Sequence, residues 1–314
     1  MSNTTIKSID NIDGSNNDSS NNLVSIETNN TNNNDDGTTT TTTTRKFNTA
    51  VLVGADGGNS FIRKSSGISQ IGPGSYNQNA LTFTVELENN NSSNNNNNGR
   101  RAYQRYLSDG GPIALLPTYS SNHAVIVWST TPEVISKWKK SNKNNDVPSE
   151  DDDDLLLVQH LNDCLREGPQ RIPPLMEEII SIASQKFTFP LSCYQASTYV
   201  KNRVVLVGDA AHTVHPMAGQ GLNLGLADVD TLVTKLKKAH DAGMDLSSFL
   251  EEYNTDRHKN VSISLTGIHA LQKIFVNTKD IPIQHVKTFG MNMIQNIGPL
   301  RRQLAIAAAH GVGV

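Results

Sequence analysis

Two stretches far apart in the chain end an apolar run in glycine and an acid, residue types that can hold a polyhydroxylated or anionic ligand. The longer is Arg203 to Asp230, RVVLVGDAAHTVHPMAGQGLNLGLADVD. Its apolar run stops at Gly208-Asp209, a loop leads through Pro216, and Gly219-Gln220-Gly221 opens a long helix-patterned segment beginning Leu222-Asn223. A carboxylate at the carboxyl end of a strand, here Asp209, accepts hydrogen bonds from sugar-type hydroxyls. Glycines at a helix start let backbone N–H groups approach an anion or an electron-rich ring edge, where the helix dipole adds favourable potential. A glycine loop before a helix is a weak signal alone, whereas the full string is a specific one. The shorter stretch is Val51 to Arg63, VLVGADGGNSFIR. Asp56 offers a second acceptor, and Gly57 and Gly58 permit positive φ and close backbone approach. This stretch reads equally well as a strand-to-helix turn capped by Asp56 or Ser60, and both readings stand at this point.

Other reactive residue types lead less far. His212 and His215 lie three apart near Asp209, but no third His or Cys accompanies them, so a metal site is disfavoured and His212 is expected to bond backbone within its loop. Cys164 and Cys193 are the only cysteines, too few for a disulfide framework or a four-cysteine zinc site, and both read as small buried side chains.

The elements that must position these residues follow from hydrophobic patterning. Thr49 to Val53 and Val204 to Val207 are buried-type strands, each running into glycine. Leu81 to Leu87 alternates as a half-buried strand, and Ala102 to Leu107, Ile113 to Leu116 and Ala124 to Trp128 continue an antiparallel series with turns at Gly110-Gly111-Pro112 and Ser120 to Asn122. Trp128 reads as core. Leu155 to Arg166 and Pro174 to Ser184 read as helices, as does most of the chain after Gly221, with breaks near Gly243, Pro282 and Pro299. Residues 1–46, rich in Asn and Thr and containing the threonines Thr38 to Thr44, are expected to be mostly disordered, with Leu23 to Ile26 as a short edge strand. The polar inserts 89–98 and 141–154 read as enlarged surface loops, the aspartates Asp151 to Asp154 lying before a helix whose positive end they favour.

Composition narrows the function class. Among 314 residues, 27 Lys and Arg against 30 Asp and Glu give a net charge of -3, unlike the basic face of a nucleic-acid protein. No apolar run approaches the ~18 residues of a membrane span. Met1 to Asp13 carries acids and no arginine, resembling neither a signal peptide nor a presequence. A soluble protein of a reducing compartment is the expectation.

GADGGNSFIR and GDAAHTVHPMAGQGLNLGLADV resemble two motifs of the flavin-dependent aromatic hydroxylases. AYQRYLSDGGPIALLP, VIVWST and NIGPLRRQLA are similar to the ubiquinone-biosynthesis branch of that family, in its mitochondrial eukaryotic form. The resemblance covers most of Phe47 to Gly311 and implies an α/β (α+β) fold: a partial FAD-binding Rossmann-like domain, an antiparallel β-sheet substrate domain and a C-terminal helical tail. The implied order is 47–78 and 191–240 for the FAD-binding parts, 79–190 for the substrate domain and 241–314 for the helices. It implies FAD as cofactor. Asp209 would bind the ribityl hydroxyls, Gly208 would give room at the pyrophosphate, and Pro216 to Asn223 would wrap the ring, with Gly219, Gln220, Gly221 and Leu222 offering N–H groups to its pyrimidine edge. Asp56 and Gly57 would support the phosphates, with Arg63 closing that motif.

The implied reaction inserts one oxygen atom of dioxygen into the aromatic ring of a polyprenylated ubiquinone precursor, with no side chain acting as nucleophile. The implied partners are that substrate, an electron donor (NAD(P)H or a ferredoxin system) and other quinone-biosynthesis proteins, at the matrix side of the mitochondrial inner membrane. Tyr103, Arg105 and Leu115 are candidates for lining the substrate pocket, each equally readable as packing or surface. The tail His285 to Ala309 reads as a helix packed on the domain, with peripheral membrane contact as the alternative. The family opens with a strand, a GxGxxG turn and a helix that hold the FAD pyrophosphate, and no such motif precedes Val51. The expectation is therefore an enzyme complete only with a missing N-terminal half, or, alternatively, a non-enzymatic remnant or assembly subunit of a quinone-synthesis complex.

Overall fold

The computed structural model describes residues 3–12, 23–33, 40–88, 102–107, 111–120, 122–138, 150–166, 178–216 and 219–276, with two isolated positions, 298 and 302. The insert 89–98, residues 141–149 of the other insert and nearly all of the tail 285–309 lie outside them. The chain divides into two compact units, one formed by residues 1–74, 193–270 and 289–314, the other by 75–192 and 271–288.

The first unit contains two small sheets. Strands β1 (Asn3–Ile12), β2 (Leu23–Asn33) and β3 (Thr40–Thr49) pair antiparallel in that order. Regular strands thus occupy much of the segment expected to be disordered, and the apolar knot Leu23 to Ile26 begins a central strand rather than an edge one. Val24 is buried there, and β-branched threonines suit an extended, paired backbone. In the other sheet, β4 (Leu52–Gly54) pairs parallel with β12 (Val204–Leu206), which pairs antiparallel with β11 (Val200–Lys201). Helix α1 (Phe61–Ser65) follows β4. Helices α4 (Gly221–Asp241) and α5 (Leu250–Val276) follow β12. Leu224 and Leu232 form part of the buried stripe of α4, while Tyr253, Val261, Leu265 and Ile268 are buried on α5.

The second unit is an antiparallel meander. Strand β5 (Gln70–Leu87) enters it from the first unit and pairs with β8 (His123–Thr130), which pairs with β7 (Gly111–Pro117), which pairs with β6 (Tyr103–Leu107). Alternation along β5 turns Leu81, Phe83 and Val85 into a core shared with Ile113, Leu115, Ile126 and the fully buried Trp128. Helices α2 (Pro132–Trp138) and α3 (Glu150–Arg166) complete the unit, with Leu157 and Leu161 of α3 packed into that core. The run Asp151 to Asp154 occupies the first turns of α3. Leu115 is therefore core, and the Arg105 guanidinium donates to the Leu165 carbonyl at 2.7 Å.

One expected helix is corrected. Ile179–Ile182 is a strand, β9, paired antiparallel with β5, because its three isoleucines are β-branched and satisfy the exposed flank of a sheet. Strand β10 (Phe187–Ala196) then returns to the first unit, where it pairs with β13 (His212–Thr213). Cys164 and Cys193 are buried and form no disulfide. Among the described residues no helix is long and apolar enough to cross a membrane.

Gly54 ties this architecture to the site, because a Cβ there would lie 2.9 Å from both Ile62 Cγ2 and Leu206 Cδ2. The absent side chain lets α1 pack directly on the β4–β12 pair. Gly54→Ala is expected to destabilise the chain by about 1–3 kcal/mol through overpacking, read as a lower urea midpoint with an unchanged slope.

Candidate functional site

The parallel register pairs Val204 with Leu52, Val205 with Val53 and Leu206 with Gly54. Both strands therefore finish at the same edge, and the Val207 N–H donates to the Gly54 carbonyl at 3.0 Å. Asp56 follows one strand end and Asp209 the other, so the topology brings the two motifs together.

The first turn is built around a helix cap. One Asp56 carboxylate oxygen accepts from Ser60 Oγ at 2.5 Å, and the other accepts from the Phe61 and Ile62 N–H groups at 2.7 and 3.1 Å. Burial pushes the Asp56 carboxyl up, but these hydrogen bonds, Ser60 first, outweigh it and hold it below its ordinary value. Ser60 in turn accepts from the Arg63 N–H. The capping reading of this stretch is what the geometry displays, and it leaves Gly57 at φ +80 with no atom within 4 Å of where a Cβ would stand.

Arg63 clamps the two turns. Its guanidinium is 2% exposed and donates to the Ala210 carbonyl at 2.9 Å and to the Gly58 carbonyl at 3.0 Å, while lying 5.4 Å from the centroid of the Tyr194 ring. The Tyr194 hydroxyl also donates to the Gly58 carbonyl. The side chain expected to close a ligand motif instead joins backbone from both motifs.

The second turn presents its acid outward. Gly208 has φ +58, in the left-handed region glycine favours, and the space beside it is open. Asp209 is exposed, and among the described residues its carboxylate has no partner. The Gly219 N–H donates to the Pro216 carbonyl, Gly219 has φ +61 with open space beside it, and Gln220 stands at the N-cap position of α4. No acid lies in the first turn of α4, so no side chain of that turn offsets its positive end. Leu222 is 73% exposed. A Cβ on Gly225 would stand 3.4 Å from Gly208 Cα, which places the first turns of α4 against the Gly208 turn. Gly57, Arg63, Gly208, Asp209 and the α4 start are thus one neighbourhood.

Sequence reasoning did not single out the group behind this neighbourhood. Asp228, fully buried on α4, accepts from His212 Nε2 at 2.6 Å, from the Gly208 N–H at 2.9 Å and from Arg257 Nε at 2.8 Å. His212 therefore bonds a carboxylate rather than backbone. The signal was present: Leu224, Asp228 and Leu232 recur every four residues, which puts an acid on the apolar stripe of a helix. Burial first, then the Asp228 charge, push the Tyr199 and Tyr253 phenols well above the usual range, with Arg257 opposing. Among the described residues no cluster of His, Cys, Asp and Glu could hold a metal.

Two consequences are measurable. Arg63→Lys keeps the charge but cannot span two carbonyls with a planar fork, and a loss on the order of 2 kcal/mol in urea unfolding is expected. Burial depresses the His215 imidazole to about 4, so the folded chain keeps it neutral where the unfolded chain protonates near 6.5. The unfolded state then binds more protons between these values, and the stability present above about pH 6.5 falls as pH drops toward 4, by up to about 1.4 kcal/mol per unit. His215→Gln should flatten that part of the urea-midpoint profile.

The FAD binding domain model matches residues 175–265, which include Gly208, Asp209, Pro216, Gly219 to Asn223, Asp228 and Arg257. The ubiquinone biosynthesis monooxygenase COQ6 of Xenopus tropicalis is 32% identical over 286 residues, which cover 84% of this chain and 58% of that protein. That of Homo sapiens is 31% identical over 281 residues, covering 84% and 58%. The chain thus spans rather more than half the length of these curated relatives. Among solved structures, p-nitrophenol 4-monooxygenase PnpA from Pseudomonas putida shares the fold with a TM-score of 0.65 at 16% identity, over 99% of this chain and 67% of that one. Aklavinone-11 hydroxylase, solved with FAD and aklavinone, shares it with a TM-score of 0.59 at 18% identity, over 85% and 43%. Residues 175–265 thus resemble an FAD binding domain, and 84% of the chain is similar to 58% of the ubiquinone biosynthesis monooxygenase of Xenopus tropicalis.

Proposed function

We propose that this chain forms the ribityl- and ring-binding part of an FAD-dependent monooxygenase that hydroxylates the aromatic ring of a polyprenylated ubiquinone precursor, acting at the matrix side of the mitochondrial inner membrane with electrons from an external donor. The observation that carries this reading is the parallel β4–β12 pair, which sets two glycine–acid turns at one edge beside the start of α4.

The residues present fit the cofactor. Gly57, Gly208 and Gly219 adopt positive φ with open space beside each, so nothing but backbone lines those positions. Asp209 offers a solvent-facing carboxylate with no partner among the described residues, an acceptor for sugar-type hydroxyls. The start of α4 supplies backbone N–H groups and a positive dipole end to an electron-rich ring edge.

FAD, when bound, supplies the transfer of one oxygen atom from dioxygen to the electron-rich ring. The chain's own residues bind and orient. Asp209 would accept the ribityl hydroxyls, Gly208 and Gly57 would keep side chains away from the phosphates, and Pro216 with Gly219 to Asn223 would hold the ring. Arg63 holds the two turns together, and Asp56 caps the helix that follows the first of them. No side chain is assigned a proton transfer or a nucleophilic step.

Asp209 separates this reading from a non-enzymatic assembly subunit. Titrating the purified chain with FAD and following flavin fluorescence, we expect binding that Asp209→Ala weakens about tenfold or more, in line with ~1.5–3 kcal/mol for hydrogen bonds to a charged group. Far-ultraviolet circular dichroism should be unchanged, because the carboxylate makes no bond among the described residues. A chain that takes up no flavin, or one whose affinity ignores Asp209, supports the assembly subunit instead.

A further inference from the structure

The carboxylate of Asp228 is held from three sides. Arg257 grips one turn of α4, donating from Nε to Asp228 Oδ1 at 2.8 Å and from Nη2 to the Leu224 carbonyl at 3.2 Å. That double hold selects one carboxylate orientation. Oδ2 then faces the strand end, where it accepts His212 Nε2 at 2.6 Å and the Gly208 N–H at 2.9 Å. One turn before Arg257 on α5, Tyr253 donates its hydroxyl to the Leu206 carbonyl at 2.8 Å. The segment Leu206 to Gly208 is thereby fastened at both ends by buried side chains, and the next residue is Asp209.

We propose that Asp228 is a positioning residue for Asp209: by accepting the Gly208 N–H it fixes the left-handed turn from which the Asp209 carboxylate projects toward the flavin. This rests on Asp209 being a flavin ligand. Among the described residues the Asp209 carboxylate has no partner, so its direction follows the backbone, which is anchored on both sides: the Gly208 N–H on Asp228 and the Ala210 carbonyl on Arg63. Arg257 and His212 act one step further back, by holding the anchor.

Asp228→Asn tests the assignment. An amide has one acceptor oxygen, and with that oxygen kept on Arg257 the Gly208 N–H loses its partner. Flavin affinity of the full chain is expected to fall about tenfold in an otherwise unchanged background. It should not fall further when Asp209→Ala is already present, because both changes remove the same interaction. Without any flavin, the Gly208 amide resonance of the labelled wild-type chain should show slow solvent exchange, and in Asp228→Asn it should move upfield and exchange at least tenfold faster.

Equal losses with and without Asp209→Ala would overturn the positioning role and leave Asp228 a structural residue. A wild-type Gly208 amide that exchanges like an exposed one would overturn it too, and that measurement stands even if Asp228→Asn does not fold. If Asp209→Ala leaves flavin binding intact, it is the reading of Asp209 as a ligand that fails, whatever Asp228→Asn does.

Discussion

Strands β4 and β12 run side by side in the same direction, and every other feature of the site depends on that pairing. Parallel neighbours end at the same edge, so two turns far apart in sequence meet without any long side chain reaching between them. The chain between the two strands includes nearly all of the second unit, and the cost of closing so long a connection rises only slowly with its length. The strands themselves are three residues each, which gives few ladder bonds to offset that cost. Arg63 makes up part of the difference, since a buried guanidinium bonded to Gly58 and Ala210 joins the turns where the ladder stops.

The buried ionic group around Asp228 meets a different need. A carboxylate and a guanidinium removed from water often contribute little net stability, because desolvation offsets their attraction. What such a pair contributes here is direction. The backbone groups it reaches, the Leu224 carbonyl and the Gly208 N–H, lie on the two elements that border the candidate site, and a purely apolar contact would let those elements slide. Burial first, and this charge after it, raise the phenols of Tyr199 and Tyr253, which stay protonated; Tyr253 thereby remains a donor to Leu206.

The strand-to-glycine turns, the antiparallel meander, the core role of Trp128 and the two long helices after Gly221 were legible in the sequence, because alternation and helical spacing report burial directly. Residues 179–182 were misread as helix because a short apolar run has no decisive period, and β-branching was the better guide. The β1–β3 sheet was missed because composition argued for disorder, while pairing between neighbouring strands is invisible to composition. In the site, Asp209 and the glycines could be read as a string, but the clamp formed by Arg63 requires knowing that Ala210 lies beside Gly58. Asp228 sat in plain view on an apolar stripe, and its partners Arg257 and His212 lie on other elements that only the fold brings near.

The candidate site asks little of side-chain chemistry and much of backbone geometry. Positive-φ glycines, a helix start opened by glycines and one outward carboxylate are requirements that many different surrounding sequences can meet. A site built from several reactive side chains would be less tolerant of such change. Reliance on backbone also shifts the sensitive positions inward. In a site of this kind a substitution at the rim alters one contact, whereas a substitution at Gly54, Arg63 or Asp228 alters where the rim stands, because each fixes backbone rather than ligand.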